Sequence, residues 1–177
     1  MDPDQDLIKT RANRDLSFHD LYSVSQINPE DFKLIYSVAR KFRDHGNYKF
    51  GLNKGLSMIN AFFESSTRTM ASFDLSGKQL SMDTTNVGSN SSVSKGESYI
   101  DTAETLDSYN PRVINVRARE AGTAEVIARH VRASIINAGD GWHEHPTQAL
   151  LDILTMLDYF GTDDLSGRVV TIVGDIM

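Results

Sequence analysis

The chain has 177 residues, 40% of them hydrophobic, which suits one large folded domain better than two complete ones. Its formal net charge of −6 argues against a nucleic-acid surface or an anionic membrane as the main partner. The lack of cysteine excludes disulfides, thiolate nucleophiles and cysteine-based metal sites. An acidic amino end and the lack of an apolar stretch of about 20 residues predict a cytoplasmic protein without a signal peptide or membrane span.

Helical and strand patterns alternate along the chain. The first convincing helix is predicted between the capping residue Asn28 and the stop signal Gly46. Strand and helix patterns then follow as pairs: "LSMINAFF" with a helix over about 67–79, "QLSMDTTNV" with "KGESYIDTAETLDSY", "RVINVR" with "GTAEVIARHV", and "ASIINA" with "PTQALLDILTMLDYFG". This order predicts an α/β fold with a parallel sheet and helices on both of its faces.

Two stretches of the sequence indicate how the chain is divided. Residues 86–96 are rich in Ser, Asn and Gly and are predicted to form a loop. A boundary is predicted at "GTDDLSGR", before a last strand over "RVVTIVG". Because that strand ends where a strand-to-helix loop should begin, we expect a sequence that stops early in a second, truncated α/β domain.

Residues 65–69, SSTRT, lie between a predicted strand and the helix that follows it. At the carboxyl end of a strand, hydroxyl groups, free helix N–H groups and the guanidinium of Arg68 would together suit a phosphate. The alternative is an ordinary Ser/Thr helix cap beside a solvated arginine. The position of the segment therefore predicts a phosphate-binding cradle, and the cap remains open as the alternative.

Polar residues follow the other predicted strands as well. Ser91, Ser94 and Lys95 lie in the loop after the second strand, and Arg117 ends the third. Either cation could simply be solvated or paired with an acid. His145 precedes Pro146 at the start of a helix and is placed to donate a hydrogen bond to a bound oxygen, with Gln148 one turn away.

Several common sites are not supported by the motifs present. The sequence His-Glu-His at 143–145 sends consecutive side chains in different directions and lacks the HExxH spacing, so a metal site is disfavoured. There is no Walker A loop and no G-x-G-x-x-G, so nucleotide binding has no positive support. There is also no G-x-S-x-G elbow of the kind that serine hydrolases use.

The motifs "FFESSTRT", "SSVSKGES", "NAGDGWHEHPTQALLD" and "VVTIVGD" resemble, in order and spacing, those of the carbamoyltransferase superfamily. The resemblance covers residues 20–175. Within the superfamily, the Lys-Gly-Glu of the serine loop and "INAGDG" are typical of the aspartate carbamoyltransferases and not of the ornithine enzymes.

The resemblance implies a role for each matching residue. It implies that the phosphate of carbamoyl phosphate is held by Ser66, Thr67, Arg68 and Thr69. It implies that the carbamoyl oxygen is contacted by Thr69, Arg117 and His145, and the carbamoyl amide by Gln148. Ser91 and Lys95 match residues that a neighbouring subunit inserts into the site of a homotrimer. Glu64 matches an acid that helps to hold two domains closed.

The reaction implied by the resemblance is transfer of a carbamoyl group from carbamoyl phosphate to the α-amine of L-aspartate, as in pyrimidine biosynthesis. The products are N-carbamoyl-L-aspartate and phosphate, and no metal or organic cofactor takes part. The implied organisation is a carbamoyl phosphate-binding domain at 1–148, a connecting helix and linker at 149–166, and a stub of an aspartate-binding domain at 167–177. We therefore expect the chain alone to bind carbamoyl phosphate weakly, to lack activity and to aggregate through exposed apolar residues.

Three departures from the family pattern keep other functions open. Ala118 stands where the family usually has histidine, Ser94 stands where a basic residue is common, and the second half of the family is missing after Met177. One alternative is an ornithine-type or other carbamoyltransferase. Another is a truncated, non-catalytic relative that binds full-length subunits and alters assembly. The last is a generic α/β domain in which the motifs coincide by chance.

Overall fold

A computed structural model describes residues 2–11, 14–88 and 96–174 of the chain. Helices and strands alternate through these residues as the sequence predicts. In chain order they are α1 (Pro3–Arg11), α2 (Pro29–His45), β1 (Ser57–Phe62), α3 (Thr67–Gln79), β2 (Asp83–Val87), α4 (Tyr99–Ser108), β3 (Val113–Ala118), α5 (Thr123–Ala128), β4 (Ser134–Asp140) and α6 (Pro146–Phe160). A short 3₁₀ helix, Val24–Gln26, precedes α2.

The four strands form one parallel sheet in the order β2-β1-β3-β4. Apolar residues of β1 and β3 pack with α4 and α5 in a core cluster that includes Ile59 and Ile114. Gly77 of α3 contacts the side chain of Met58, which points to the opposite face because strand side chains alternate. The predicted α/β fold, with a parallel sheet covered on both faces, is therefore confirmed.

A row of asparagines crosses the sheet on the α3 side. Asn60 faces Asn86 on one side and Asn115 on the other, and each neighbouring pair is joined by a side-chain hydrogen bond of 2.7 Å. Asn60 and Asn115 are fully buried. A buried polar row of this kind is stable only when the strands stay in one register, so it fixes how β2, β1 and β3 align.

The carboxyl end of β4 contains a bulge. Val116 pairs with Asn137 and Ala118 pairs with Asp140, so one residue of β3, Arg117, lies opposite two of β4, Ala138 and Gly139. Gly139 lies within this step and has a φ of +112°. Bulges bend a strand locally and change the direction of its side chains, and here the change occurs where the sheet meets its terminal loops.

The described structure differs from the sequence patterns at both ends of the chain. The helix α1 was not predicted, because Leu7 is its only buried residue and its apolar periodicity is weak. The available signal was polar: Pro3 and two acids begin the helix and two basic residues end it. The strand over "RVVTIVG" stays a prediction, since residues 168–173 pair with no strand of the described structure and are exposed. A strand needs a neighbour to accept and donate its backbone hydrogen bonds.

Candidate active site

A cleft of about 720 Å³ opens between α3 and α6, at the carboxyl end of the sheet. Six of the residues predicted for the site line it: Ser66, Arg68, Thr69, Arg117, His145 and Gln148. They come from the ends of three different strands, and parallel strands bring such ends to one edge. Residues far apart in the chain therefore meet at the place where ligands of open α/β sheets bind.

The first turn of α3 faces this cleft without an ordinary helix cap. Ser66 is the capping residue, but its side chain accepts no bond from the helix and instead donates to Thr69 Oγ1 at 3.0 Å. The first N–H groups of a helix have no acceptor within the helix. Arg68 is exposed and makes no ion pair within the described part of the chain. This arrangement favours the phosphate cradle over the ordinary cap, because the groups that would bind an anion are not used for capping.

Arg117 is held by two contacts at the floor of the cleft. Its Nη1 donates to the carbonyl oxygen of Ala138 at 2.9 Å, and its Nη2 lies 3.3 Å from Glu64 Oε2. Its Nε is buried without a hydrogen-bond partner among the described residues. The guanidinium is thus fixed in one position and keeps unused donor capacity, as a group that receives a ligand oxygen requires.

The bulge in β4 provides the space that Arg117 occupies. A Cβ atom added at Gly139 would overlap Arg117 Nη1 and lie 3.3 Å from His145 Cδ2. The positive φ of Gly139 is also a conformation that other residues adopt with strain. Glycine is therefore needed at this position both for its backbone angle and for its lack of a side chain.

We expect Gly139→Ala to destabilise the chain more than Gly122→Ala, as measured by urea unfolding. Both glycines have a positive φ, so each substitution should cost about 1–2 kcal/mol in backbone strain. Only at Gly139 does the new methyl group also meet a side chain, since nothing lies within 4 Å at Gly122. Equal losses of stability in the two variants would contradict this account of the bulge.

His145 is the capping residue of α6, and Pro146 begins the helix. Burial lowers the pKa of His145, and the nearby charge of Arg117 lowers it further. Both effects favour the neutral form of the imidazole. Thr147 Oγ1 lies 3.3 Å from His145 Nδ1, and a hydroxyl that donates to Nδ1 leaves the ring proton on Nε2. In that tautomer His145 can donate a hydrogen bond to an oxygen bound in the cleft.

Thr67, also predicted for the site, begins α3 but is exposed and does not line the cleft. Gln148 lines the cleft and donates from Nε2 to Asp152 Oδ1 at 2.9 Å. Glu64 lies beside the cleft as the partner of Arg117. Ser91, Ser94 and Lys95 lie outside the described residues. Their predicted contribution to a neighbouring site stays a prediction.

The three side chains of the His-Glu-His sequence have separate partners. His143 Nδ1 lies 3.0 Å from Asp140 Oδ2, and this carboxylate raises the pKa of His143. Glu144 accepts from Ser23 Oγ at 2.8 Å, whereas His145 faces the cleft. Among the described residues there is no group of three or more potential metal ligands. The three side chains therefore have separate roles: His143 and Glu144 hold the loop before α6, and His145 lines the cleft.

Sequence reasoning missed part of the cleft wall. Ser72, Phe73 and Ser76 continue the face of α3 that begins at Thr69, and Thr147 and Leu151 lie on α6. The spacing of three and four residues from Thr69 could have indicated the α3 residues, since such residues share one face of a helix. No local pattern indicates which side of α6 faces α3, because that depends on how the two helices sit on the sheet.

These features together define an α/β domain with a cleft at the carboxyl end of its parallel sheet, where the N-termini of α3 and α6 and the side chains of Arg68 and Arg117 meet. The family described as aspartate/ornithine carbamoyltransferase, carbamoyl-P binding domain, matches residues 19–158. The chain belongs to this family.

Two similar curated proteins are about twice as long as the segment that aligns with this chain. The aspartate carbamoyltransferase catalytic subunit of Agrobacterium fabrum is 54% identical over 161 residues, which are 89% of this chain and 51% of that protein. The corresponding subunit of Desulfotalea psychrophila is 43% identical over 160 residues, 88% of this chain and 50% of that protein. The chain thus spans about half the length of the curated relatives it matches.

The chain is also similar to about half of each of two solved structures. Aspartate transcarbamoylase from Trypanosoma cruzi, in complex with carbamoyl aspartate and phosphate, matches with a TM-score of 0.75 and 35% identity over 82% of this chain and 48% of that one. The catalytic subunit of the M. jannaschii enzyme matches with a TM-score of 0.77 and 34% identity over 83% and 49% of the two chains. No helix in the described ranges is long and apolar enough to cross a membrane.

Proposed function

We propose that this chain forms the carbamoyl phosphate-binding half of an aspartate carbamoyltransferase. One observation carries the proposal: the uncapped first turn of α3, Arg117 and His145 converge on one cleft at the carboxyl end of the sheet. A phosphorylated carbonyl compound needs hydrogen-bond donors to its phosphate at one end and hydrogen-bond donors to its carbonyl oxygen at the other. The cleft offers both within a single space.

The phosphate end of the ligand fits the start of α3. The proposed donors are the hydroxyl groups and N–H groups of Ser66, Thr67 and Thr69, with the side chain of Arg68. A guanidinium can form two parallel hydrogen bonds with phosphate oxygens, and the helix dipole adds a favourable field. Neutralising the developing charge on phosphate in this way makes it a better leaving group.

The carbamoyl end fits the donors deeper in the cleft. In this proposal Thr69, Arg117 and His145 contact the carbamoyl oxygen, and Gln148 holds the carbamoyl amide. The nitrogen of the aspartate amine attacks the carbamoyl carbon, and the carbonyl electrons move to oxygen. The C–O bond to phosphate then breaks, phosphate leaves and the amine loses a proton. Donors fixed before the reaction stabilise the oxyanion by about 3 kcal/mol each.

The rest of the proposal concerns how the chain is divided and how copies of it assemble. We propose the division predicted from the sequence, with the carbamoyl phosphate domain at 1–148, a connecting helix and linker at 149–166, and the start of an aspartate-binding domain at 167–177. Glu64 would hold the two domains closed, and Ser91 and Lys95 would enter the site of a neighbour in a homotrimer. A cytoplasmic role in pyrimidine biosynthesis belongs to the same proposal.

The proposal is tested by titrating carbamoyl phosphate into the 177-residue chain in a calorimeter. We expect binding that Arg68→Ala weakens by about tenfold or more, since a charged hydrogen bond contributes about 1.5–3 kcal/mol. Arg129→Ala is the matched control. Arg129 is exposed on the other face of the sheet and pairs with Glu125. Equal binding by the wild type and Arg68→Ala would overturn the proposed cradle.

Phosphate release in the same samples tests the second half of the proposal. Because the chain spans about half the length of the curated relatives it matches, we expect that L-aspartate does not accelerate release by these 177 residues alone. Aspartate-dependent release that is lost in Arg68→Ala would mean that the 177 residues already contain an aspartate site.

A further inference from the structure

We infer that Asp140 is a positioning residue that sets the distance between Arg117 and His145. The inference rests on the proposed function, because it concerns the two donors assigned there to the carbamoyl oxygen. Asp140 is the last residue of β4 and is only 2% exposed. It does not line the cleft. Its effect must therefore pass through the residues it holds.

The carboxylate of Asp140 joins two loops that leave neighbouring strands. Oδ2 accepts from the N–H of Gly122 at 2.7 Å, in the loop between β3 and α5. Oδ1 accepts from the N–H of Glu144 at 2.8 Å, in the loop between β4 and α6. Arg117 precedes the first loop and His145 ends the second. One buried carboxylate thus ties together the two segments that carry the oxygen-directed donors.

The loop before His145 is closed further around Asp140. The N–H of Asp140 donates to the carbonyl oxygen of Glu144 at 3.1 Å, and His143 Nδ1 lies 3.0 Å from Asp140 Oδ2. The side chain of Glu144 is held from outside by Ser23 Oγ at 2.8 Å and by the N–H of Val24 at 3.2 Å. Residues 141–144 therefore form a turn fixed on two sides, which fixes the start of α6.

The position of Arg117 depends on the same end of β4. Its Nη1 donates to the carbonyl of Ala138, two residues before Asp140. The N–H of Gly141 donates to the carbonyl of Ala118, the residue after Arg117, at 3.1 Å. Loss of the Asp140 carboxylate would release both loops together and let Arg117 and His145 move apart. Hydrogen bonds to a buried ionised group are among the stronger ones in proteins, so this link is a stiff one.

The test compares Asp140→Asn with Asp107→Asn. Asp107, near the end of α4, is also buried and also accepts backbone N–H groups, but from Arg132 and Ala133, which precede β4 and lie away from the cleft. Both variants lose charged hydrogen bonds and both should be less stable. Under conditions where both are folded by circular dichroism, we expect Asp140→Asn to bind carbamoyl phosphate about tenfold more weakly and Asp107→Asn to bind it within about twofold of the wild type.

A second readout needs no ligand: the pKa of His145, followed by NMR. The charge of Asp140 raises the pKa of His145, so loss of that charge alone would lower it. Separation from Arg117 and greater exposure would instead move it up toward the ordinary histidine value. We expect a rise in Asp140→Asn and no change in Asp107→Asn. A fall, or unaltered carbamoyl phosphate binding by Asp140→Asn, would overturn the positioning role.

A milder variant keeps the inference testable if Asp140→Asn does not fold. Ser23→Ala loosens the same turn from its outer side, and we expect it to weaken carbamoyl phosphate binding about two- to threefold. Unchanged affinity in a folded Ser23→Ala would then count against the inference. If the wild type binds no carbamoyl phosphate at all, the proposed function fails, while the NMR titration still decides whether Asp140 sets the position of His145.

Discussion

Substitution Arg117→Ala is expected to weaken carbamoyl phosphate binding by about 10- to 100-fold, which corresponds to the loss of one or two charge-assisted hydrogen bonds. It should also lower the free energy of unfolding by about 1–3 kcal/mol. The reason is that Ala138 loses a hydrogen-bond donor and Glu64 loses its ion-pair partner. Calorimetric titration measures the first effect and urea unfolding measures the second.

Arg112→Ala provides the matched control. Arg112 precedes the same strand at its amino end, is exposed, and carries the same charge. It should therefore change neither measurement by more than the effect of one surface charge. Arg117→Lys separates charge from geometry, since lysine keeps the charge but cannot reach Ala138 and Glu64 at once with a planar fork. Full binding by Arg117→Lys would contradict the role assigned to the fixed guanidinium.

Asp107→Asn is expected to lower the free energy of unfolding by about 2–4 kcal/mol, the largest loss of stability that we expect. The Asp107 side chain accepts from the N–H groups of Arg132 and Ala133 and from Arg132 Nε at 3.0 Å. Burial raises the pKa of Asp107, but these donors outweigh burial and hold the pKa below its ordinary value. An asparagine has one oxygen for these donors and turns an NH₂ group toward the others.

The pH dependence of this effect has a definite sign. A carboxyl group whose pKa is lower in the folded state contributes stability above its unfolded pKa of about 3.9 and loses it as the pH falls. The difference between wild type and Asp107→Asn should therefore be full near pH 7 and shrink below about pH 4. Glu104→Gln, at an exposed position on the same helix, should leave stability nearly unchanged. A constant difference between wild type and Asp107→Asn across this pH range would contradict the contribution assigned to the ionised carboxylate.

Most of the fold could be predicted from the sequence, because the signals that mark helices and strands are local. The capping residue Asn28 and the stop at Gly46 bound α2, and α3 spans Thr67–Gln79 as predicted. Short apolar runs marked β1, β3 and β4, whereas β2 is largely polar and follows the apolar residues Leu80 and Met82. Hydrophobic periodicity did not indicate α1, which is held by polar contacts such as that between Asp6 and His45, at 2.9 Å. Ion pairs between distant residues leave no periodic trace in a sequence.

The candidate site was predicted as a set of residues but not as a geometry. Strand-end positions were enough to group Arg68, Arg117 and His145 in one place. The pairing of Arg117 with Glu64 depends on two strand ends meeting in space, so no spacing in the sequence could show it. Asp140 was overlooked for the same reason. Its carboxylate accepts from the backbone N–H groups of Gly122 and Glu144, and a backbone N–H group gives no signal in a sequence because nearly every residue has one.

The bulge in β4 also has a consequence for how this chain tolerates changes in length. Side chains of a strand alternate between faces, so parity decides which residues face α3 and α6 and which face α4 and α5. The extra residue between Asn137 and Asp140 reverses that parity just before the loop that leads to His145. Deleting one residue here would keep every side chain of the site. It would, however, turn the side chains that follow the deletion to the opposite face of the sheet. Length at this position is therefore as much a determinant of the site as residue identity is.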